Sequence, residues 1–281
     1  MAKDRGRHRI ISAQTTSRAL AGALLICLSV IGLGQTPAAP QANPRGVIRL
    51  RVRVGDGPKA KGLSRKRFFL IKGSREENKS LLQSFEQRPI LSRDCYYRGI
   101  GASEALISWL KQSDCESIYC REVEPKDIEG AGAVPEFQHA VSDAEKEYGK
   151  GDTSRKWLAV SLPENIRSGF YKRQTQDLLS FLKQAEQLSK ARVLSVMTDR
   201  NGTAYFTDLE PGLYVISNIL PTEVGERAVS WNCEIKVKPG DLATEKPFLI
   251  SNPGNKDPRD TKNIKCVAVE KPLPACPAPA R

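Results

Sequence analysis

Histidine is almost missing from this sequence: two occur among 281 residues, His8 and His139. His8 lies in a basic N-terminal leader, which leaves one imidazole for the rest of the chain. No H-E-x-x-H or H-x-x-E pattern occurs, so a His-rich zinc site is excluded and no metal is expected. A catalytic triad lacks its base as well. The remaining option, a Cys–His couple through His139, meets the polar run Glu136-Phe137-Gln138-His139, which reads better as the surface of a helix. No catalytic residue and no cofactor are therefore expected. Long apolar runs are also lacking: Ala19 to Gly34 is uncharged and apolar, yet shorter than the roughly 20 residues of a spanning helix. Acids are scarce near the N-terminus, where residues 43–72 hold ten Lys and Arg against Asp56 alone. No aromatic residues interleave with those cations, so nucleic acid is not expected as a partner. No repeat of fixed period is present.

The leader itself has the order of an export signal. Lys3, Arg5, Arg7, Arg9 and Arg18 precede or open the apolar run, and a Pro/Ala stretch to Ala42 follows. Small-x-small sites at Gly32-Leu33-Gly34 and Thr36-Pro37-Ala38 would allow cleavage; without it, residues 19–34 become an anchor with their basic end in the cytoplasm. Cys27 follows Leu-Leu-Ile, not the small residue that precedes a lipobox cysteine. Either outcome exports the bulk of the protein, to a periplasmic, extracellular or membrane-anchored location. Beyond residue 42 there are six cysteines, Cys95, Cys115, Cys120, Cys233, Cys266 and Cys276. An even number in an exported chain implies disulfides, with 15 connectivities if all pair. Three lie in the middle and three in the C-terminal part, so full pairing needs at least one bridge between them. The alternative is that Cys233 stays a buried thiol, because Trp231, Cys233, Ile235 and Val237 alternate along a strand.

Residues 47–54 (VIRLRVRV) put Ile48, Leu50, Val52 and Val54 on one face of a strand and Arg49, Arg51 and Arg53 on the other. A turn at Gly55-Asp56-Gly57-Pro58 leads to a second strand at Arg67–Lys72. The spacing of apolar residues then turns helical. Helices are predicted over Glu76–Gln87, Ser103–Lys111, Pro135–Tyr148 and Pro163–Leu188, the last with a stripe of Ile166, Phe170, Leu178, Leu179, Leu182 and Leu188. Strands resume at Arg192–Met197, Thr203–Leu209, Leu213–Leu220, Glu226–Val237 and Lys246–Ser251. The Pro-rich residues 253–281 read as an extended, loosely ordered tail. Within this pattern, Asn201-Gly202 is a hairpin signal and Pro211-Gly212 a second turn. Ala204, Phe206, Tyr214 and Ile216 fall at period 2 on one buried face.

The stretch 198–216, T-D-x-N-G-x-A-x-F-x-x-L-x-P-G-x-Y-x-I, resembles the central hairpin of carboxypeptidase regulatory-like domains. These share a prealbumin (transthyretin-like) β-sandwich with collagen-adhesin B-type repeats. The resemblance extends weakly to 47–72 and 226–252. It implies an α+β chain: an antiparallel prealbumin-like sandwich from residues 44–72 plus 192–252, interrupted by a mainly helical insertion at 73–191. It also implies an accessory, stalk or binding module whose catalysis, where present, belongs to a separate domain. Neither related chemistry carries over. The isopeptide cross-link of the adhesin repeats needs a lysine on the first strand and a buried glutamate; here stand arginines, which stay protonated, and Asn218. Asp199, Asn201, Thr203 and Glu210 fall at positions 1, 3, 5 and 12 of a calcium loop, but its glycine belongs at position 6, and Gly202 is at position 4.

Of the net charge of +12, residues 43–72 carry +9 and the leader +4. The basicity is therefore local to the first two strands. Arg49, Arg51, Arg53, Lys66 and Arg67 form a candidate binding face for an anionic polymer or a membrane surface. The alternative is a solvated face, or one covered by insertion acids such as Asp143, Glu145 and Glu147. The chain is expected to be a non-enzymatic envelope protein that binds or scaffolds an envelope protein or glycan; the alternatives are a polyanion- or membrane-surface-binding protein acting through the basic first strands, and an enzyme with its site between insertion and sandwich.

Overall fold

The computed structural model describes residues 45–113, 115–151, 158–240 and 246–276; the leader, residues 1–42, lies outside them. The described chain is α+β. At its centre is β1 (Gly46–Val54), whose residues alternate between buried and half-buried along its whole length. Ile48, Leu50, Val52 and Val54 face inward and the arginines outward, as their period of two requires.

Two sheets share one core. The first has the order β11 (Ile264–Val267), β10 (Phe248–Ser251), β1, β2 (Lys61–Gly62), with β5 (Thr203–Leu209) also on β1. The second runs β4 (Leu194–Met197), β3 (Arg67–Lys72), β6 (Gly212–Ser217), β9 (Asn232–Val237). Leu50, Phe206 and Ile250 of the first meet Phe68, Ile216 and Cys233 of the second. Trp231 fills this core: it is fully buried, its ring lies 5.6 Å from that of Phe68, and its indole N–H donates to the carbonyl of Ser251 at 2.9 Å. A third sheet, β12 (Val269–Pro272), β8 (Arg227–Ser230), β7 (Thr222–Val224), completes the strands.

At the centre of the second sheet β3 is buried on both faces, which explains its unbroken apolar run. Phe68 and Leu70 enter the sandwich core, while Phe69 and Ile71 pack under helices. Those helices are α1 (Lys79–Gln87) and α6 (Phe170–Ser189), locked by an edge-to-face contact of Phe85 and Phe181 at 5.0 Å. The rest of the insertion, α2 (Arg93–Gly99), α3 (Glu104–Lys111), α4 (Pro125–Ile128) and α5 (Pro135–Tyr148), has its own core around Tyr97, Trp109 and Phe137. Ser92 and Ser103 cap α2 and α3.

Several expectations are corrected. Asn201-Gly202 does not close a hairpin: β4 pairs with β3 and β5 with β1, so the turn carries the chain from one sheet to the other. Pro211-Gly212 does the same between β5 and β6. Gly202 is required by close approach as well as by its φ of +74°, since a Cβ there would lie 2.3 Å from the carbonyl of Val52. The sandwich is not wholly antiparallel, because β1–β10 and β10–β11 are parallel. Nor does it end at residue 252. The tail supplies β11 and β12, since the prolines at 253, 258, 272 and 274 leave residues 264–271 able to join ladders. In the insertion, α2 and α4 are additional, and the long helix begins at Phe170 after a π turn at Asn165–Gly169. Ile166, Phe170, Phe181 and Ala185 are its buried residues, whereas Leu179 and Leu188 are exposed. Trp231 divides the run predicted at 226–237 into β8 and β9.

All six cysteines are paired, Cys95 with Cys276, Cys115 with Cys120, and Cys233 with Cys266. Cys95–Cys276 is the required bridge between middle and C-terminal parts, and Cys233 is bridged. Three disulfides fit an oxidising compartment. No described helix is long and apolar enough to cross a membrane.

Candidate functional site

The five residues of the predicted basic face do not form one surface. Arg49, Arg51 and Arg53 project from the outer face of the first sheet, all half-buried. Arg53 is consumed by the tail: its guanidinium contacts Asp257 at 3.1 Å and Asp260 at 2.7 Å and donates to the carbonyl of Ala60 at 2.5 Å. Arg259 lies 2.6 Å from Asp257 as well, and together they hold that carboxyl well below its usual range, to about 2, with Arg259 the larger influence. Lys66 is 6% exposed and its ammonium donates to Glu116 at 2.5 Å. Arg67 is exposed on the second sheet, 3.1 Å from the hydroxyl of Ser195. The face dissolves because β1 and β3 belong to different sheets. The acids that meet it come from the tail, whereas Asp143 pairs with Lys146 on its own helix. His139 is exposed on α5, as its polar neighbours required.

A cleft of about 270 Å³ opens where the insertion meets the second sheet. One wall is α6, which presents Tyr171, Gln174, Thr175, Leu178 and Leu182. Their spacing of i, i+3, i+4, i+7 and i+11 places them on one helix face. The other wall is Phe69 and Ser195 of β3 and β4 with Asn218, Leu220, Pro221 and Thr222. At this lip Ile219 adopts φ +57°, a strained conformation for a β-branched residue. The N–H of Ile219 donates to the Ser217 hydroxyl at 2.8 Å, and that of Leu220 to the Asn218 carbonyl at 2.6 Å. Asn218 is buried: its amide donates to the carbonyl of Val229 at 2.9 Å and its oxygen accepts from Trp231 N–H at 2.9 Å. It serves the fold, holding the strand-to-strand corner together from inside.

Beneath the cleft lies a chain of buried charges linking insertion to sandwich. Arg93 donates through Nε and Nη2 to Asp94 at 3.0 Å and through Nη1 to the Cys115 carbonyl at 3.0 Å. Glu223, on β7, accepts from the Arg93 backbone N–H and lies 3.6 Å from its guanidinium. Lys111 closes the group on Asp94 and Glu226, each at 3.1 Å. Burial pushes the Glu223 carboxyl above its usual range, outweighing Arg93. Hydrogen bonds to Asp94 and Glu226 raise Lys111. Lys66 and Glu116 lie alongside this group, lining a small recess with Arg93 and Glu223.

Tyr171, Gln174, Glu116, Arg93 and Glu223 were not singled out by the sequence. The α6 face could have been found, because the polar-apolar stripe 171, 174, 175, 178, 182 flanks the buried one. The charged group could not, because its members are brought together from positions 66, 93, 116 and 223. Among the described residues no cluster of His, Cys, Asp and Glu could hold a metal ion. Compared with family models, curated proteins and solved structures, the chain gives no match.

Proposed function

We propose that the protein is an exported, non-enzymatic binding module of the cell envelope. Its carboxypeptidase regulatory-like, prealbumin-type sandwich acts as a scaffold, and the cleft against α6 is its ligand site. The observation that carries this reading is the cleft itself. It combines an apolar wall with Arg67, Gln174 and Ser195 as donors, over a floor whose charges, Lys66 on Glu116 and Arg93 on Asp94, are already satisfied. Pre-organised polar groups in a partly apolar cleft favour binding. Exposed Tyr171, with 52% of its surface open, is the kind of rigid aromatic that anchors an interface. The ligand fitting this chemistry is a segment of an envelope protein or glycan bearing an acceptor beside an apolar group.

A photoreactive amino acid in place of Tyr171 tests this in the native cell. Discrete adducts with envelope components are expected, with their loss in Leu178→Asp, which puts a charge into the apolar wall. Adducts unaffected by Leu178→Asp would remove the cleft from the reading. Cytoplasmic adducts on a chain that keeps Met1 and six reduced thiols would remove export.

A further inference from the structure

A second concavity, of about 300 Å³, lies where β1 begins, between the starts of β10 and β11 and the end of β9. Its floor is apolar, with Ile48, Val237 and Phe248. Its rim carries Arg49, Lys236, Lys246, Lys262 and Lys265, with no carboxylate among the described lining residues. Lys246 has a contact of its own; the other four cations form no ion pair with a described residue, and Arg49 Nε is buried with no hydrogen-bond partner. The contrast along β1 is sharp: Arg53, four residues on, holds two carboxylates. Like charges brought together repel, so their convergence with no counter-charge among the described residues opposes the fold.

We infer that this groove binds a phosphate-bearing ligand. Three of the four cations are lysines arriving from separate segments, β9, the turn before β11, and β11 itself. Point charges from several directions suit a compact, multiply charged oxyanion better than a planar carboxylate, which bidentate arginine pairs favour. The apolar floor lowers the local dielectric and accommodates a nonpolar stem next to the phosphate. The site is separate from the α6 cleft and shares no lining residue with it. It retains Arg49 from the face predicted by the sequence and draws its other members from the C-terminal half.

The test uses the full chain and two probes: inorganic pyrophosphate in a calorimetric titration, and flotation on phosphatidylcholine vesicles with or without phosphatidylglycerol. Saturable pyrophosphate binding identifies a free phosphate ligand, and flotation only on the anionic vesicles identifies a headgroup. In either arm affinity falls with salt and drops at least about tenfold in R49Q/K262Q/K265Q, about 1.4 kcal/mol. K236Q/K262Q/K265Q, with three exposed side chains, repeats the loss should the first variant fail to fold. K72Q/K79Q, with exposed cations outside both the groove and the α6 cleft, keeps full affinity. Absence of binding to both probes, or equal loss in K72Q/K79Q, overturns the assignment.

Discussion

Glu223 shows how a single side chain couples the two halves of the molecule. Its carboxyl is held above the ordinary 4.5 because burial outweighs its contact with Arg93. Protonation therefore favours the fold. That contribution is fully present below about pH 4.5 and is lost as pH rises through the raised value. Glu223→Gln fixes the neutral form and keeps an acceptor for the Arg93 amide. The melting temperature of the variant relative to the wild type should climb from about pH 4 to about pH 8; a flat difference would show that Glu223 is not strained by burial. Arg53 behaves in the opposite way. Arg53→Ala strands Asp260, whose side chain is 6% exposed, and leaves Asp257, 2% exposed, to Arg259 alone; it should cost about 3–5 kcal/mol in denaturant unfolding at neutral pH. At this scale alternation was legible: every inward residue of β1 lies where its period of two put it. Buried charge was not, because Arg53 reads like Arg51 until residues 257–260 fold onto it.

Among the elements, connections were harder to read than strands. The turn chemistry at Asp199–Gly202 is local and was visible: Asp199 accepts from the N–H groups of Asn201 and Thr203, both at 2.8 Å. Which sheet each flanking strand joins depends on partners far away in sequence, and no turn residue encodes it. Gly202→Ala should destabilise the protein by more than about 1 kcal/mol from its positive φ alone, with the clash on Val52 added. Chemical denaturation measures it, and a neutral result would show that the two backbones can separate. The tail was misread because six prolines dominate its composition, whereas their positions spare β11 and β12. Its end is fastened by Cys95–Cys276, which spans 181 residues. Removing that bridge in C95S/C276S should cost about 2–5 kcal/mol under oxidising conditions. The deficit should shrink when wild type and variant are compared in reductant.

For the whole molecule, the α+β class and the break between sandwich strands at 73–191 followed from the switch in apolar spacing. The layering did not. Phe68-Phe69-Leu70-Ile71 hinted at a strand covered on both sides, but the cover comes from α1 and α6. Their placement depends on Phe85 meeting Phe181 across nearly a hundred intervening positions. The cleft against α6 exists only once that layer is set, which is why no local motif announces it. The pairing of β1 has one more consequence. This strand leads the folded region, yet its neighbours are β5 and β10, at residues 203–209 and 248–251, and the outer edge is β11. A chain emerging N-terminus first offers β1 only the two-residue β2 until residues 203–209 appear, and its parallel ladder with β10 waits for residues 248–251. Pairing over such sequence distances makes the shared core slow to nucleate by its topology, and the apolar face of β1 stays uncovered for most of the synthesis.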